Sequence, residues 1–160
     1  MAAAFGSKEE LFDRVVERYL AAQAKVIDAA MAKSDPVEIV RALMDGVATL
    51  LTSPRCAPGC LIMNNALPVT GAAPFRKRFA DQREELRRRL EERLRATSAK
   101  ALSSTPPLDA STISRLTLSI YWGMAVEAQS GASRREVRAI GEAFVQLLEV
   151  GARKRPRRQG

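Results

Sequence analysis

The sequence predicts an all-α protein of about six helices, one of them short. Apolar residues recur at intervals of three and four over most of the 160 residues, which is the spacing of one helix face. Alternating apolar and polar stretches are nearly absent, and so are the Asn-Gly and Asp-Gly pairs that mark hairpins. Two Ser-x-x-Glu capping boxes, beginning at Ser7 and Ser133, mark helix starts.

The first two helices have clear start and stop signals in the sequence. Ser7 and Glu10 form a capping box, so the first helix is expected from about Lys8 to Ala32. Residues 33–36, KSDP, end it and prepare the next helix, with an aspartate as N-cap and a proline at the first helical position. The second helix is expected to end near Ser53 and Pro54.

The middle of the chain predicts one short and one long helix. Residues 60–67 are apolar enough for either a buried strand or a short helix, and the all-helical surroundings favour the helix. A long charged helix is expected from about Ala72 to Leu102. Its apolar stripe consists of Phe75, Phe79, Leu86, Leu90 and Leu94.

The last two helices are apolar on more than one face. Asp109 or Ser111 is expected to cap the first of them, and Gly131 to end it as a C′ glycine. The capping box at Ser133 opens the final helix. Helices with two apolar faces need two partners, so one face is expected to meet the chain's own core and the other a second copy of the chain.

Bulk composition suits one soluble domain. Apolar residues make up 46% of the chain, and no apolar run approaches the ~18–20 residues of a membrane span. Its first residues lack the basic and apolar regions of a signal peptide, so a cytoplasmic location is expected. The net charge of +8 is concentrated in residues 76–100 and 151–160, at +5 each. Both segments are interpreted as solvated, the second as a disordered tail, rather than as nucleic-acid surfaces.

The sequence offers little catalytic chemistry. It contains no histidine, which removes the usual general base and the commonest metal ligand. Cys56 and Cys60, in a C-x3-C spacing, make a poor zinc site without a second pair. They are interpreted as ordinary thiols, since a cytoplasmic disulfide is unusual. No Gly-rich phosphate loop is present. We therefore expect a non-enzyme without a cofactor or a metal.

Three stretches resemble the TetR family of transcriptional regulators. Residues 5–12, FGSKEELF, are similar to the F-G-S-K-E-x-L-F signature that joins that family's DNA-reading helix to its regulatory domain. Residues 58–64, PGCLIMN, resemble the G-C-L-x-x-N stretch of one branch. Residues 123–136 resemble the link between the family's last two helices. The three lie in family order and span most of the chain.

The resemblance implies a domain organisation and partners. Residues 8–150 would form a TetR-like C-terminal regulatory domain whose last two helices build a dimeric four-helix bundle. The domain would be a homodimer that binds a small, mostly apolar effector between about residues 37 and 130. Lys8 would touch DNA phosphate when a helix-turn-helix is present. Residues 1–7 would be the remnant of the connector, with the helix-turn-helix lost by truncation, by a misplaced start codon or by true absence, and residues 151–160 a tail.

Candidate site residues follow from the helix faces. The pocket assignment competes with an ordinary core, because large adaptable side chains suit both. The candidate effector pocket consists of Met44, Cys60, Met63, Asn64, Phe75, Phe79, Leu118, Tyr121 and Trp122. The candidate dimer interface consists of Ile113, Leu116, Ile120, Met124, Ala128, Val137, Ile140, Gly141, Phe144 and Leu148.

Three functional hypotheses remain from the sequence. The leading one is the effector-binding and dimerisation domain of a ligand-responsive repressor. A second is a protein without a DNA-binding head that sequesters a ligand or forms heterodimers with intact relatives. A third is direct DNA binding through the basic helix and the basic tail, which would be weakened by salt if it were non-specific.

Overall fold

The computed structural model describes residues 7–54, 58–66, 73–97 and 108–153, with the backbone alone for residues 8, 9, 64–66, 73–75 and 151–153. These residues form six helices and no strand, which confirms the all-α class. The short middle segment is a helix, as favoured over a strand. The helices are α1 (Lys8–Met31), α2 (Pro36–Leu51), α3 (Leu61–Ala66), α4 (Ala73–Ala96), α5 (Ala110–Gln129) and α6 (Arg134–Arg153).

The first two helices begin where their capping residues predict. The Ser7 hydroxyl accepts from the Glu10 backbone N–H at 3.1 Å, and the Ser7 N–H donates to the Glu10 carboxylate at 3.0 Å. Asp35 caps α2 by accepting from the backbone N–H groups of Val37 and Glu38 at 2.9 and 3.0 Å. Each contact satisfies a helix-end donor that has no partner within the helix.

The α5–α6 link also follows its sequence signals. Asp109 is the N-cap of α5, accepting from the Thr112 N–H at 2.6 Å, and so decides between the two predicted capping residues. Gly131 has φ +99, the left-handed conformation expected of a C′ glycine. Ser133 and Glu136 form the predicted second capping box, with the Ser133 N–H donating to the carboxylate at 2.8 Å.

Helix α4 is shorter than predicted. It ends at Ala96, whereas the sequence predicted an end near Leu102. At this end the Thr97 hydroxyl donates to the Leu94 carbonyl at 2.9 Å. Residues 98–102 lie outside the described part of the chain. The four described members of the predicted α4 stripe are buried: Phe79, Leu86, Leu90 and Leu94.

Helix α2 lies at the centre of the molecule. It packs against α1, α5 and α6, so its side chains are buried on a wide face. Those buried residues are Pro36, Ile39, Val40, Leu43, Met44, Val47, Ala48 and Leu51. Within the described residues, no helix is both long and apolar enough to span a membrane.

A glycine sets the distance between α2 and α6. A Cβ placed on Gly141 would lie 2.9 Å from the Met44 Cβ, closer than such atoms approach in proteins. Gly141 therefore lets the two helices pack closely inside one chain. Two ion pairs reinforce the same contact, Arg41 with Glu149 at 2.5 Å and Arg138 with Asp45 at 3.1 Å.

Arginines of α4 attach this helix to α1. Arg78 pairs with Asp13 at 2.8 Å and Arg89 pairs with Asp28 at 2.9 Å. Arg93 donates to two backbone carbonyls at the C-terminal end of α1, at 2.8 and 2.6 Å, where unpaired carbonyls favour a cation. The interpretation of this charged face as merely solvated was therefore incomplete, because part of it is an interhelical contact.

Candidate functional site

A small polar cluster lies inside the helical core. The Tyr121 side chain is only 1% exposed, and its hydroxyl accepts from the Gln23 amide nitrogen at 2.8 Å. The same hydroxyl lies 3.6 Å from the Cys60 Sγ, to which the Tyr19 hydroxyl donates at 3.2 Å. The cluster joins α1, the residue preceding α3, and α5. Polar groups in such a position are costly unless they are hydrogen-bonded, and these four all have partners.

Both phenols of the cluster are held in the neutral form. Burial is the largest cause that raises the pKa of Tyr121, and the nearby Cys60 thiol and Tyr19 raise it further. Burial likewise raises the pKa of Tyr19, followed by its interactions with Cys60. Because burial disfavours the charged form of a phenol, both hydroxyls remain available as hydrogen-bond donors.

A cavity of about 50 Å³ adjoins the polar cluster. Helices α1, α4 and α5 and the start of α3 form its walls. This volume accommodates one or two water molecules, since each occupies about 30 Å³ in the liquid. It is therefore much smaller than the ~300–1,000 Å³ of a typical small-molecule pocket. The lining residues are Gln23, Ile27, Cys60, Ile62, Gln82, Arg83, Glu85, Leu86, Arg89, Tyr121 and Trp122.

A larger groove of about 360 Å³ runs between α4 and α5 on the outer side of this cavity. The Arg83 guanidinium stacks on the Trp122 ring, with its Cζ 5.2 Å from the ring centroid. Arg83 and Trp122 line both spaces. The groove is lined by Arg83, Glu84, Arg87, Arg115, Leu118, Ser119 and Trp122.

Four predicted pocket residues lie at these two spaces. Cys60 and Tyr121 line the inner cavity, Leu118 lines the groove, and Trp122 lines both. Cys60, Leu118 and Tyr121 are almost completely buried, whereas Trp122 is partly exposed. The structure thus brings together residues from two distant segments of the chain. Their role in binding a ligand is a proposal.

The other five predicted pocket residues either line neither space or have side chains that the structure does not describe. Met44 packs on Gly141 at the α2–α6 contact and does not line either space. Phe79 is completely buried in the core, and Met63 is half-buried against it. The side chains of Asn64 and Phe75 are outside the described part of the structure. The spacing of apolar residues identifies the apolar positions of a helix. It does not identify which of two neighbouring helices those positions contact.

Sequence reasoning missed the contribution of α1 to the cavity. Tyr19, Gln23 and Ile27 are spaced by four and so lie on one face of α1, where Gln23 is 5% exposed. A glutamine within an otherwise apolar stripe was the available signal. Arg83 and Leu86 were also absent from the candidate list, because α4 was interpreted as a charged face and an apolar core stripe.

The predicted interface residues are mostly in the chain's own core. The two-faced pattern on α5 and α6 is present, and seven of the ten predicted interface residues are buried within the single chain, so their contact with a second copy stays a prediction. Those seven buried residues are Ile113, Met124, Ala128, Val137, Gly141, Phe144 and Leu148. Ile120 and Ile140 are partly buried, and Leu116 is 39% exposed.

Other apolar side chains of α5 and α6 are exposed. Val126 on α5 is 58% exposed, and Leu147 and Val150 on α6 are 72% and 51% exposed. With Leu116 they define an outer apolar surface, which we call the α5–α6 outer face. Gly123 lies on this face with open space around it.

Two further predictions concern charge and metal. Lys8 is the predicted phosphate contact, and its side chain is outside the described part of the structure. In the described segments, no group of three or more cysteine, aspartate or glutamate side chains is placed to hold a metal ion. The arginines of α4 are largely committed to acidic partners within the chain: Arg78, Arg87, Arg88, Arg89 and Arg95.

Solved structures with the same helix arrangement are regulators of one family. A Rhodococcus sp. RHA1 chain described as a TetR transcriptional regulator is 26% identical, with a TM-score of 0.70 over 92% of this chain and 79% of that one. The chain has a TetR-like fold. No protein-family model matches it, and no curated protein sequence matches it significantly.

Two structures of the TetR family regulator CifR extend the comparison. One, a cysteine double mutant solved with a 26-base-pair operator DNA, is 26% identical, with a TM-score of 0.72 over 91% of this chain and 76% of that one. The other, a triple cysteine mutant with the same length of operator, is 24% identical, with a TM-score of 0.68 and the same coverage. The TetR-like fold supports a regulatory function in general.

Proposed function

We propose that this chain is the effector-binding and dimerisation domain of a TetR-like, ligand-responsive transcriptional repressor. The observation that carries the proposal is the TetR-like arrangement of six helices combined with exposed apolar residues on its last two helices. The polar cluster beside the cavity is the proposed site of ligand response. CifR, with the same fold, was solved with operator DNA, and a DNA-bound state is proposed here for the whole regulator.

The α5–α6 outer face supports dimerisation. Isolated exposed apolar residues are common, but four large ones on adjacent helices suggest a surface that a partner covers. A two-fold axis would place α5 and α6 of one copy against α5 and α6 of the other, because an isologous contact uses the same patch twice. Gly123, with open space around it, would allow close approach of the partner helix.

The response to a ligand would pass through the contact between α1 and α5. The Gln23–Tyr121 hydrogen bond joins these two helices directly beside the cavity. Helix α5 also belongs to the proposed dimer surface, and α1 begins at the stretch that resembles the family's connector to DNA-reading helices. A ligand that fits only one relative position of α1 and α5 would shift the population toward that position.

Direct DNA binding through α4 is not favoured. Most of the described arginines of this helix already pair with carboxylates or backbone carbonyls of the chain. A phosphate contact would have to compete with each of those interactions. The DNA contact of the whole regulator is therefore proposed for a helix-turn-helix preceding α1.

Sedimentation velocity tests the dimer. The wild-type chain is expected to sediment as a dimer at tens of micromolar, whereas Leu147→Glu is expected to be a folded monomer because each copy would bury a charge at the interface. Arg135→Glu, at an exposed position outside the apolar face, is the control and is expected to remain dimeric. A wild-type monomer at that concentration contradicts the dimerisation proposal.

Thermal denaturation with a library of small apolar and aromatic compounds tests the ligand response. Any compound that binds only the folded state raises the melting temperature, and the rise grows with the logarithm of the ratio of its concentration to its Kd once that ratio exceeds one. The expected hits lose their effect in Trp122→Ala, which changes both the cavity and the groove. A library without a single hit contradicts the effector function, irrespective of the oligomeric state.

A further inference from the structure

The outer groove and the inner cavity have two lining residues in common. Arg83 and Trp122 are the only residues that line both spaces among those described. Each is partly exposed, and their contact is a stack of a cation on an aromatic ring rather than an ion pair. A stack at such a site is weak, so an incoming ligand can displace it.

The charge of the groove is unbalanced. Arg87 is engaged by Glu84 at 2.6 Å and by Glu91 at 2.5 Å, and its side chain is only 17% exposed. Neither Arg83 nor Arg115 forms an ion pair with any described residue. Two guanidinium groups without an ion-pair partner among the described residues therefore line a groove with a single carboxylate, Glu84. The hydrogen bonds from Arg87 are the largest cause that lowers the pKa of Glu84, and the charges of Arg115 and Arg83 lower it further, so Glu84 compensates these two arginines only in part. Such groups favour a carboxylate ligand, which matches the guanidinium geometry.

Apart from its charged residues, the groove is lined by Leu118, by Trp122 and by Ser119, whose hydroxyl donates to the Arg115 carbonyl at 2.9 Å. Leu118 is completely buried beneath it, and Trp122 presents its indole ring. The groove volume of about 360 Å³ falls within the range of small-molecule sites. An occupant that satisfies both the charge and the flat indole ring carries a carboxylate on an aromatic group.

We propose that the α4–α5 groove binds an aromatic carboxylate, which takes the face of Trp122 from Arg83 and pairs its carboxylate with Arg83 and Arg115. The exchange replaces one stack by another and adds an ion pair to each arginine. Since Arg83 and Trp122 also line the inner cavity, their rearrangement opens that cavity toward the groove. This inference rests on the proposed ligand response and assigns it a ligand class.

The fluorescence of Trp122 reports on this exchange directly, because it is the single tryptophan of the chain. The chain is titrated with hydrocinnamate, with hydrocinnamyl alcohol, which differs in lacking the carboxylate, and with acetate, which lacks the ring. Hydrocinnamate is expected to change the emission and to bind about tenfold more tightly than the alcohol, the usual effect of a charged hydrogen bond. Acetate is expected to have no effect at the same concentrations.

Four variants distinguish a specific effect of the groove arginines from a general effect of positive charge. Arg83→Gln and Arg115→Gln are each expected to weaken hydrocinnamate binding by about tenfold. Arg83→Lys keeps the charge but not the forked geometry, and it is expected to retain part of the affinity. Arg135→Gln removes an equal charge outside both spaces and is expected to bind like the wild type. Circular dichroism confirms that each variant is folded.

The outcomes distinguish failure of the carboxylate site from failure of the effector function. Equal affinity for hydrocinnamate and its alcohol, or binding unaffected by Arg83→Gln and Arg115→Gln, overturns the carboxylate site. Equal effects of acetate and hydrocinnamate overturn its aromatic part. If hydrocinnamate does not bind while neutral compounds raise the melting temperature, the carboxylate site is wrong and the effector function stands. If no compound acts in either assay, both proposals fail.

Discussion

The hydrogen bond between Gln23 and Tyr121 is expected to contribute measurably to stability. Tyr121→Phe keeps the ring and removes only the hydroxyl that accepts from the Gln23 amide at 2.8 Å. The amide is left without this partner at a position that is 5% exposed, and an unsatisfied buried donor costs about 1–3 kcal/mol. Because the adjoining cavity can admit a water molecule, we expect a loss of about 1–2 kcal/mol in the free energy of unfolding.

A double-mutant cycle isolates this pair. Gln23→Met alone removes the donor with little change of shape, and it leaves the tyrosine hydroxyl near Cys60 at 3.6 Å. The double variant replaces both partners by apolar groups, a change that is often nearly neutral. The losses of the single variants are therefore expected to exceed that of the double variant, with a coupling energy of about 1 kcal/mol.

The other tyrosine is the matched control. Tyr19→Phe removes a hydroxyl that donates to the Cys60 sulfur, a weak acceptor, so its cost is expected to be smaller than that of Tyr121→Phe. Urea unfolding followed by circular dichroism measures all four variants at one fixed protein concentration, because dimerisation makes stability concentration-dependent. Additive losses in the cycle, or a larger loss in Tyr19→Phe than in Tyr121→Phe, would refute the reasoning.

Three further predictions concern pH and packing. The pKa values of Tyr19 and Tyr121 are both raised above the ordinary value of 10.0. The two neutral phenols therefore stabilise the fold fully below about pH 10. Above that pH the free energy of unfolding declines, by up to about 1.4 kcal/mol per pH unit for each phenol. Absorbance of tyrosinate is accordingly expected to appear together with the loss of helical circular dichroism, and its appearance near pH 10 in the folded protein would contradict the burial of the cluster. Gly141→Ala is expected to destabilise by about 1–3 kcal/mol in urea, because its methyl group would meet the Met44 Cβ at 2.9 Å, and unchanged stability would show that α2 and α6 separate easily. Leu94→Ala, at a completely buried position, is expected to cost about 2–5 kcal/mol, and a much smaller loss in the same assay would show that the end of α4 is loosely packed.

Local chemistry explains why most helix boundaries were predictable. The Ser7 capping box, the Asp35 cap with its following proline and the Ser133 capping box each act over three residues, so the sequence alone contains both partners. The end of α4 was not predictable in this way. It was expected near Leu102, whereas the helix ends at Ala96, next to the contact of the Thr97 hydroxyl with the Leu94 carbonyl.

The candidate site was predictable only in part. Cys60, Tyr121 and Trp122 belong to apolar stretches that suggested a pocket, and the structure places all three at one cavity. Gln23 and Arg83 were missed: the position of Gln23 within an apolar stripe was a signal that went unused, whereas Arg83 does not stand out from the other charged residues of its helix. Their roles arise from the packing of α1, α4 and α5 around a shared space.

The sequence by itself determined the all-helical class, nearly every helix start and the presence of two apolar faces on α5 and α6. These features depend on spacing and on contacts between near neighbours, which the chain order specifies. Only the tertiary structure decided which face of each helix points inward. Met124 and Val137 are in the core, whereas Val126 and Leu147 are exposed, because the choice depends on the distant helices that pack against each face.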